Sequence, residues 1–270
     1  NYLNSIFSTY DSSTEISKIN TSDSKNFTLS KDLSFVLNKA IYYSKLSDGL
    51  YDPTVFPLVD LWGFGPTRRN SKPKESEIND LLKDVSYKNI SIYNNELFIS
   101  NSNIYIDLSS IAKGYAVDII SKLLLDRGYS DFMVEIGGEV RCNGRNNKNE
   151  WIIGIINPQY ENSLIKTIIT NKSMATSGNY NNYSVYEGIT YTHIINPKTG
   201  WPITNNIISV SVIADDCIDA DAIATLLMLL PHEKGLSIVN KIKNVEALLF
   251  IDMNQKIIKI KSNNFDEYLY

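Results

Sequence analysis

Asp221 and Thr225 stand four positions apart in a segment that reads as helix, so their carboxylate and hydroxyl share one face. Two hard oxygen donors so placed suit Mg²⁺ when a phosphate supplies further ligands, although Asp219 or Asp221 could equally cap that helix. A second group is Asp107-Leu108-Ser109-Ser110-Ile111-Ala112-Lys113, where a carboxylate closes a strand and small residues open a helix. Exposed amides at a helix start hold phosphate well. Lys113 in the first turn opposes the helix dipole and therefore needs an anion nearby. An Asp/Ser cap beside a solvated Lys is the plain alternative.

Three further segments could do chemistry. Glu135-Ile136-Gly137-Gly138-Glu139 sets two acids around a Gly-Gly where backbone can approach a ligand or simply make a hairpin. Ala175-Thr176-Ser177-Gly178-Asn179-Tyr180 is a small polar loop whose hydroxyls and amides could cradle an anion, or a plain turn. Of the two histidines, His193 lies between a strand-like segment and the Asn196-Pro197-Lys198-Thr199-Gly200 turn, where it is a general base, a phosphate contact or a core residue. His232 follows Pro231 at a helix start and reads as surface.

The elements that must position these residues follow from periodicity. Residues 1–26 read as a short amphipathic helix and a polar turn. Ser30 is a plausible cap for a helix to about Asp48, with Gly49 ending it. The stretch from Tyr51 to Pro66 is Gly- and Pro-punctuated but aromatic, the character of a pocket or a surface knob. Residues 71–84 are helix-prone, and 90–107 read as a β-meander with turns at Asn94-Asn95 and Asn101-Ser102. A helix starts at Ser109 or Ser110 and runs to about Arg127. Strands are expected at Phe132–Ile136, Glu139–Cys142, Trp151–Ile156, Leu164–Thr170 and Ile207–Ala214. Helices at about Asp219–Leu230 and His232–Ile242 and strands near Ala247–Asp252 and Lys256–Ile260 close the chain. Strands and helices mix without strict βαβ alternation, which predicts α+β rather than a doubly wound sheet.

Composition excludes several classes. The 270 residues carry 26 basic and 30 acidic side chains, a net charge of −4, which argues against a nucleic-acid footprint. With 43% hydrophobic and 21% charged residues the chain is globular, and no window approaches 18 uninterrupted apolar residues, so no membrane span is expected. The two cysteines, Cys142 and Cys217, lack metal spacing and do not form a disulfide framework. Walker A, GxGxxG, HExxH and GxSxG patterns are absent. The sequence begins at Asn1 rather than Met, and a removed leader or lipid tether is expected, which would put the protein in the periplasm or on the envelope of a bacterium.

In their order and spacing these segments resemble the ApbE family, FAD:protein FMN transferases of the bacterial envelope. Matches run from Phe7-Ser8-Thr9-Tyr10 with Ser13 and Asn20, through Tyr51–Val55 and Leu61–Gly65, to Asp107–Asp118, Glu135–Arg141, Ala175–Tyr180, His193–Pro202 and Ala220–Thr225. Any one is weak; eight collinear matches are specific. The resemblance implies one domain over residues 1–270, α+β and T-fold-like, with mostly antiparallel sheets and packed helices. It implies Mg²⁺-dependent transfer of FMN from FAD to a Thr or Ser hydroxyl of an acceptor flavoprotein, with AMP released. An FAD pyrophosphatase or a non-catalytic FAD carrier is the alternative.

Carried over by position, the carboxylate of Asp221, the hydroxyl of Thr225 and the carbonyl of Ser110 resemble metal ligands. Leu50, Tyr51, Asp52, Trp62, Asp107, Lys113, Glu135, Gly137, Gly138, Thr176, Ser177 and Gly178 resemble FAD contacts, with rings stacking near Tyr51 and Trp62. Asp221 and His193 are the expected catalytic residues, His193 also touching the cofactor and serving as base. Many members have Asp where Asn196 stands, and the family's Met-Gly-Thr strand is expected ahead of Asn1.

Overall fold

A computed structural model of the chain describes residues 2–101, 103–160, 163–179 and 183–270; Asn1 and the expected turn residues Ser102 and Tyr180 lie outside them. The chain forms two compact units, each made of two segments: unit 1 is Asn1–Ser110 with Asn182–Ile203, unit 2 is Ile111–Asn181 with Thr204–Tyr270. Neither unit is contiguous in sequence, so no composition break marks one from the other.

Unit 1 opens with α1 (Asn4–Phe7), α2 (Glu15–Asn20), β1 (Asn26–Thr28), α3 (Lys31–Leu46), α4 (Phe56–Leu61), α5 (Glu75–Leu82), β2 (Ile90–Tyr93) and β3 (Glu96–Ile99). Unit 2 takes α6 (Ala112–Asp126), β4 (Phe132–Ile136), β5 (Glu139–Asn143), β6 (Ile152–Ile156), β7 (Leu164–Ile168) and β8 (Lys172–Gly178). The chain returns to unit 1 for the hairpin β9 (Tyr183–Tyr186) and β10 (Ile189–Thr192). It ends in unit 2 with β11 (Ile207–Ala214), α7 (Cys217–Leu229), α8 (His232–Val239), β12 (Glu246–Asp252) and β13 (Ile257–Lys261).

In unit 1, Ser30 caps α3 as expected: its hydroxyl accepts from Leu33 N at 3.2 Å, and the helix ends where Asp48 and Gly49 turn left-handed at φ 56° and 76°. The first 26 residues hold two short helices rather than one, because Thr14 caps α2 and its hydroxyl also donates to Ser8 O at 2.6 Å, breaking the run. Asn94 and Asn95 both take positive φ, 48° and 63°, and close the β2–β3 hairpin. The expected third strand of that meander is replaced by β1, which pairs with β3. Residues 104–108 are held otherwise: the Asn20 side chain donates to Ile106 O and accepts from Ile106 N, each at 2.8 Å, imitating a strand partner.

Unit 2 carries a six-stranded sheet in the order β13-β12-β11-β8-β5-β4, antiparallel throughout, with β6 and β7 as a separate hairpin. The antiparallel sheets and packed helices bear out the α+β reading. Helix α7 lies on β8 and β11, and α6 packs on α7. Ten of the 13 residues of α7 are buried, so this helix is a core element with no wet face. His232 opens α8 half-buried rather than at the surface, its Nε2 3.2 Å from Glu233 Oε1. Both cysteines are free and buried.

Candidate active site

Burial of α7 makes its one central carboxylate conspicuous. Asp221 is 4% exposed, and its Oδ2 accepts the backbone N–H of Gly114 at 2.9 Å. That bond requires α6 and α7 to touch backbone to backbone. A Cβ on Gly114 would lie 2.4 Å from the Cys217 carbonyl oxygen and 2.8 Å from Asp221 Cβ, so only glycine fits. Burial first, then the charge of Glu139, pushes the Asp221 carboxyl up to about 7, against the pull of Lys113 and the Gly114 bond. Thr225, one turn further along, is half-buried, with its hydroxyl 3.4 Å from that of Ser177.

The anion that Lys113 requires is Glu139. Its Oε1 accepts from Lys113 Nζ at 2.7 Å, and the carboxylate is 2% exposed while the ammonium is 46% exposed. Burial raises the Glu139 carboxyl above its ordinary value, with Lys113 opposing. Its other oxygen, Oε2, is buried without a hydrogen-bond partner. The sequence sets Glu139 beside the Gly-Gly turn, and the family likeness implies the site role for Glu135 instead. Glu135 is exposed, and its Oε1 accepts from Gly138 N at 2.7 Å, so it organises the β4–β5 hairpin, whose Gly137 and Gly138 sit at φ 63° and 102°.

Two local readings are corrected here. Residues 175–178 are not a loop: they belong to β8, paired with β11 from Ser173↔Ala214 to Gly178↔Ser209. Thr176 is exposed on that strand with its hydroxyl 2.7 Å from Ser211 Oγ, and Ser177 is the member of the segment that meets Thr225. Small side chains hid the strand, which is fixed by neighbours on both sides. Neither Asp219 nor Asp221 caps α7. Asp118 of α6 does, accepting from Cys217 N and Ile218 N at 2.8 Å each. Burial pushes the Asp118 carboxyl up to about 6. Asp118 lies four residues beyond Gly114 on the same helix, so α6 grips the start of α7 at two points.

The remaining expected residues belong to unit 1 and serve its own structure. Trp62 is fully buried among Leu58, Ile78, Val85, Tyr186 and Ile195, and its Nε1 donates to Gly200 O at 2.8 Å. The ring is core and does not present a stacking face. Tyr51, 2% exposed, sets its ring edge-on to Tyr43 and its hydroxyl 2.7 Å from Ser110 Oγ. Asp52 Oδ1 accepts from Thr54 N and Oγ1 at 2.9 and 2.6 Å, and Oδ2 from Tyr87 N at 2.8 Å. Burial raises the Asp52 carboxyl even so. Asp107 Oδ1 accepts from Ser109 N at 2.6 Å, and the residue capping α6 is Ile111, without a side-chain bond, rather than Ser109 or Ser110. Leu50 is half-buried. His193 is half-buried with its ring edge-on to Phe64, centroids 6.2 Å apart. Asn196 Oδ1 accepts from Lys198 N at 2.9 Å, shaping the turn that follows.

What the structure brings together in unit 2 is therefore Lys113, Glu139, Asp221, Thr225 and Ser177. Among the described residues no group of three or more His, Cys, Asp or Glu side chains gathers as a metal centre. A cation here would have to draw on hydroxyl, carbonyl or phosphate oxygens as well. The donor chemistry fits a hard divalent ion: one buried carboxylate with an oxygen to spare, a hydroxyl one turn on, and an orphaned buried carboxylate oxygen.

The chain is similar to known proteins over nearly all of its length. The model of the ApbE family matches residues 1–249. The FAD:protein FMN transferase of Vibrio cholerae serotype O1 is 35% identical over 272 residues, covering 99% of this chain and 81% of that protein. The FAD:protein FMN transferase of Haemophilus influenzae is 34% identical over 274 residues, covering 97% and 79%. The solved flavin transferase ApbE from Vibrio cholerae superposes with a TM-score of 0.92 at 34% identity, covering 99% of this chain and 86% of that one. The chain belongs to the ApbE family.

Proposed function

We propose that this chain is a Mg²⁺-dependent FAD:protein FMN transferase, acting as one functional domain over residues 1–270. The observation that carries the reading is Asp221, buried on α7, bonded to the start of α6 and aligned with Thr225. Full-length similarity to proteins named for the same activity supports it.

In the reaction the acceptor Thr or Ser oxygen attacks the phosphorus of the FMN half of FAD. The bond from that phosphorus to the bridging oxygen breaks, and AMP leaves with the bridge. The acceptor gains a phosphoester, and its hydroxyl proton is taken up by base. Asp221, Thr225 and the carbonyl of Ser110 would hold the Mg²⁺, which when bound supplies positive charge for the pyrophosphate oxygens. Lys113 adds a fixed ammonium, half-exposed and oriented by Glu139. His193 is the base that accepts the hydroxyl proton. Leu50, Tyr51, Asp52, Asp107, Gly137, Gly138, Thr176, Ser177 and Gly178 are the FAD contacts that the family likeness implies. Trp62 acts by supporting the core of unit 1.

The acceptor is a flavoprotein carrying a Thr/Ser flavinylation motif, in the periplasm or at the envelope. No helix among the described residues is long and apolar enough to cross a membrane. The test is mass spectrometry of an acceptor domain incubated with the chain, FAD and Mg²⁺. We expect the acceptor to gain one FMN less a water, and chelator to abolish the gain. Free FMN and AMP with an unlabelled acceptor would mean the FAD pyrophosphatase, and intact FAD would mean a carrier.

A further inference from the structure

Among the described residues of unit 2, Glu139 is the buried acid with an orphaned carboxylate oxygen. Oε1 is satisfied by Lys113 at 2.7 Å, yet Oε2 is buried with no donor. A buried carboxylate oxygen left without a partner is costly, and more so when the group is charged. A merely structural ion pair would place a second donor there. Oε2 faces the Gly137 backbone, where a Cβ would stand 3.5 Å from it, in ordinary van der Waals contact. The carboxylate also stands close to Asp221 along α6, since its partner Lys113 directly precedes Gly114, whose N–H donates to Asp221 Oδ2 at 2.9 Å. Two buried carboxylates thus meet neighbouring residues at the start of α6, Glu139 at Lys113 and Asp221 at Gly114.

We propose that Glu139 is the second carboxylate of the divalent-cation site begun by Asp221 and Thr225, with Oε2 turned to the cation and Oε1 kept on Lys113. The inference rests on the cation-site reading given under Proposed function. Lys113 then neutralises one of the two acids and the cation neutralises the other.

Mn²⁺ binding to the full chain, read from the electron paramagnetic resonance signal of the free ion with and without FAD, tests this. Glu139→Gln should weaken Mn²⁺ by about tenfold or more. Lys113→Ala, measured without FAD, should leave Mn²⁺ binding as tight or tighter, because the acids are then less neutralised. If Glu139 only anchors Lys113, Glu139→Gln removes no ligand and weakens Mn²⁺ by less than about threefold, and the inference is overturned. Unchanged affinity in Glu139→Gln overturns it as well. Asp221→Ala separates this from the parent reading. Loss of Mn²⁺ in Asp221→Ala with none in Glu139→Gln removes Glu139 alone. Unchanged binding in Asp221→Ala, or no binding by the unaltered chain in either condition, removes the cation site itself. Thermal melting reports folding, and should Glu139→Gln not fold, Glu139→Asp, which keeps the charge and shortens the reach, should weaken Mn²⁺, unchanged affinity overturning the inference.

Discussion

The backbone N–H of Gly114 points at Oδ2 of Asp221 from 2.9 Å, and no side chain fits between the two helices that carry them. Gly114→Ala sets two effects against each other. Alanine is favoured over glycine in a helix by about 1 kcal/mol, but overpacking a closed contact costs about 1–3 kcal/mol. The clash is with a carbonyl of a buried helix, which has nowhere to go, so overpacking wins. We expect a lower urea midpoint and a loss of Mg²⁺-stimulated transfer together. A variant at least as stable as the parent would show that α6 and α7 can separate.

Asp221→Ala should abolish Mg²⁺-stimulated turnover, a fall of about 10²-fold or more, while the protein still unfolds cooperatively. Taking away a desolvated acid offsets part of the about 1–3 kcal/mol cost of leaving the Gly114 N–H without its acceptor, so the fold is weakened but kept. Turnover that still responds to Mg²⁺ would remove the aspartate from the metal site.

Substituting His193 with Ala should reduce transfer by about 10²–10⁴-fold, the range for loss of a general base, and change the FAD dissociation constant far less. Both can be read from single-turnover transfer and from flavin fluorescence titration. Equal losses in the two would make His193 a binding residue.

Trp62 tells the core from the ligand. Trp62→Ala should destabilise by about 3–5 kcal/mol, as for other buried aromatics. Trp62→Phe keeps most of the ring and forfeits the bond to Gly200 O, about 1 kcal/mol. FAD affinity of the Phe variant should match the parent; a marked weakening would mean that the indole touches the dinucleotide.

Asp118 gives a pH signature. Its folded carboxyl titrates near 6 and its unfolded one near 3.8, so between these values the folded chain holds a proton that the unfolded chain has lost. The group's contribution to stability is therefore full below 3.8 and lost as pH rises through about 6. Asp118→Asn should flatten that part of the profile measured by urea unfolding. It should also cost about 1 kcal/mol at neutral pH, because an amide accepts only one of the two cap bonds of α7. A variant with the parent's slope would exclude Asp118 as its source.

Local patterns were legible where one residue's chemistry and its near neighbours decide the outcome. Ser30 caps α3, the β-branched run of β11 starts and ends at Ile207 and Ala214 as expected, and paired asparagines close β2–β3. The need of Lys113 for an anion was legible too; that the anion is Glu139 and not Glu135 was not, because the two differ only in which face of the hairpin is buried. Strand β8 was missed because Lys-Ser-Met-Ala-Thr-Ser-Gly has little strand propensity, and pairing with β5 and β11 supplies what propensity lacks.

By itself the sequence determined the order of the motifs, the shared helix face of Asp221 and Thr225, and the α+β class, all consequences of spacing along the chain. Tertiary structure alone decided that Trp62 is core, that Asp118 caps a helix 99 residues away, and that Glu139 keeps a buried oxygen unpaired. Periodicity is a local property of the backbone. Desolvation and the partner of a buried charge depend on which distant segments exclude water from it, and that is set only when the chain has folded.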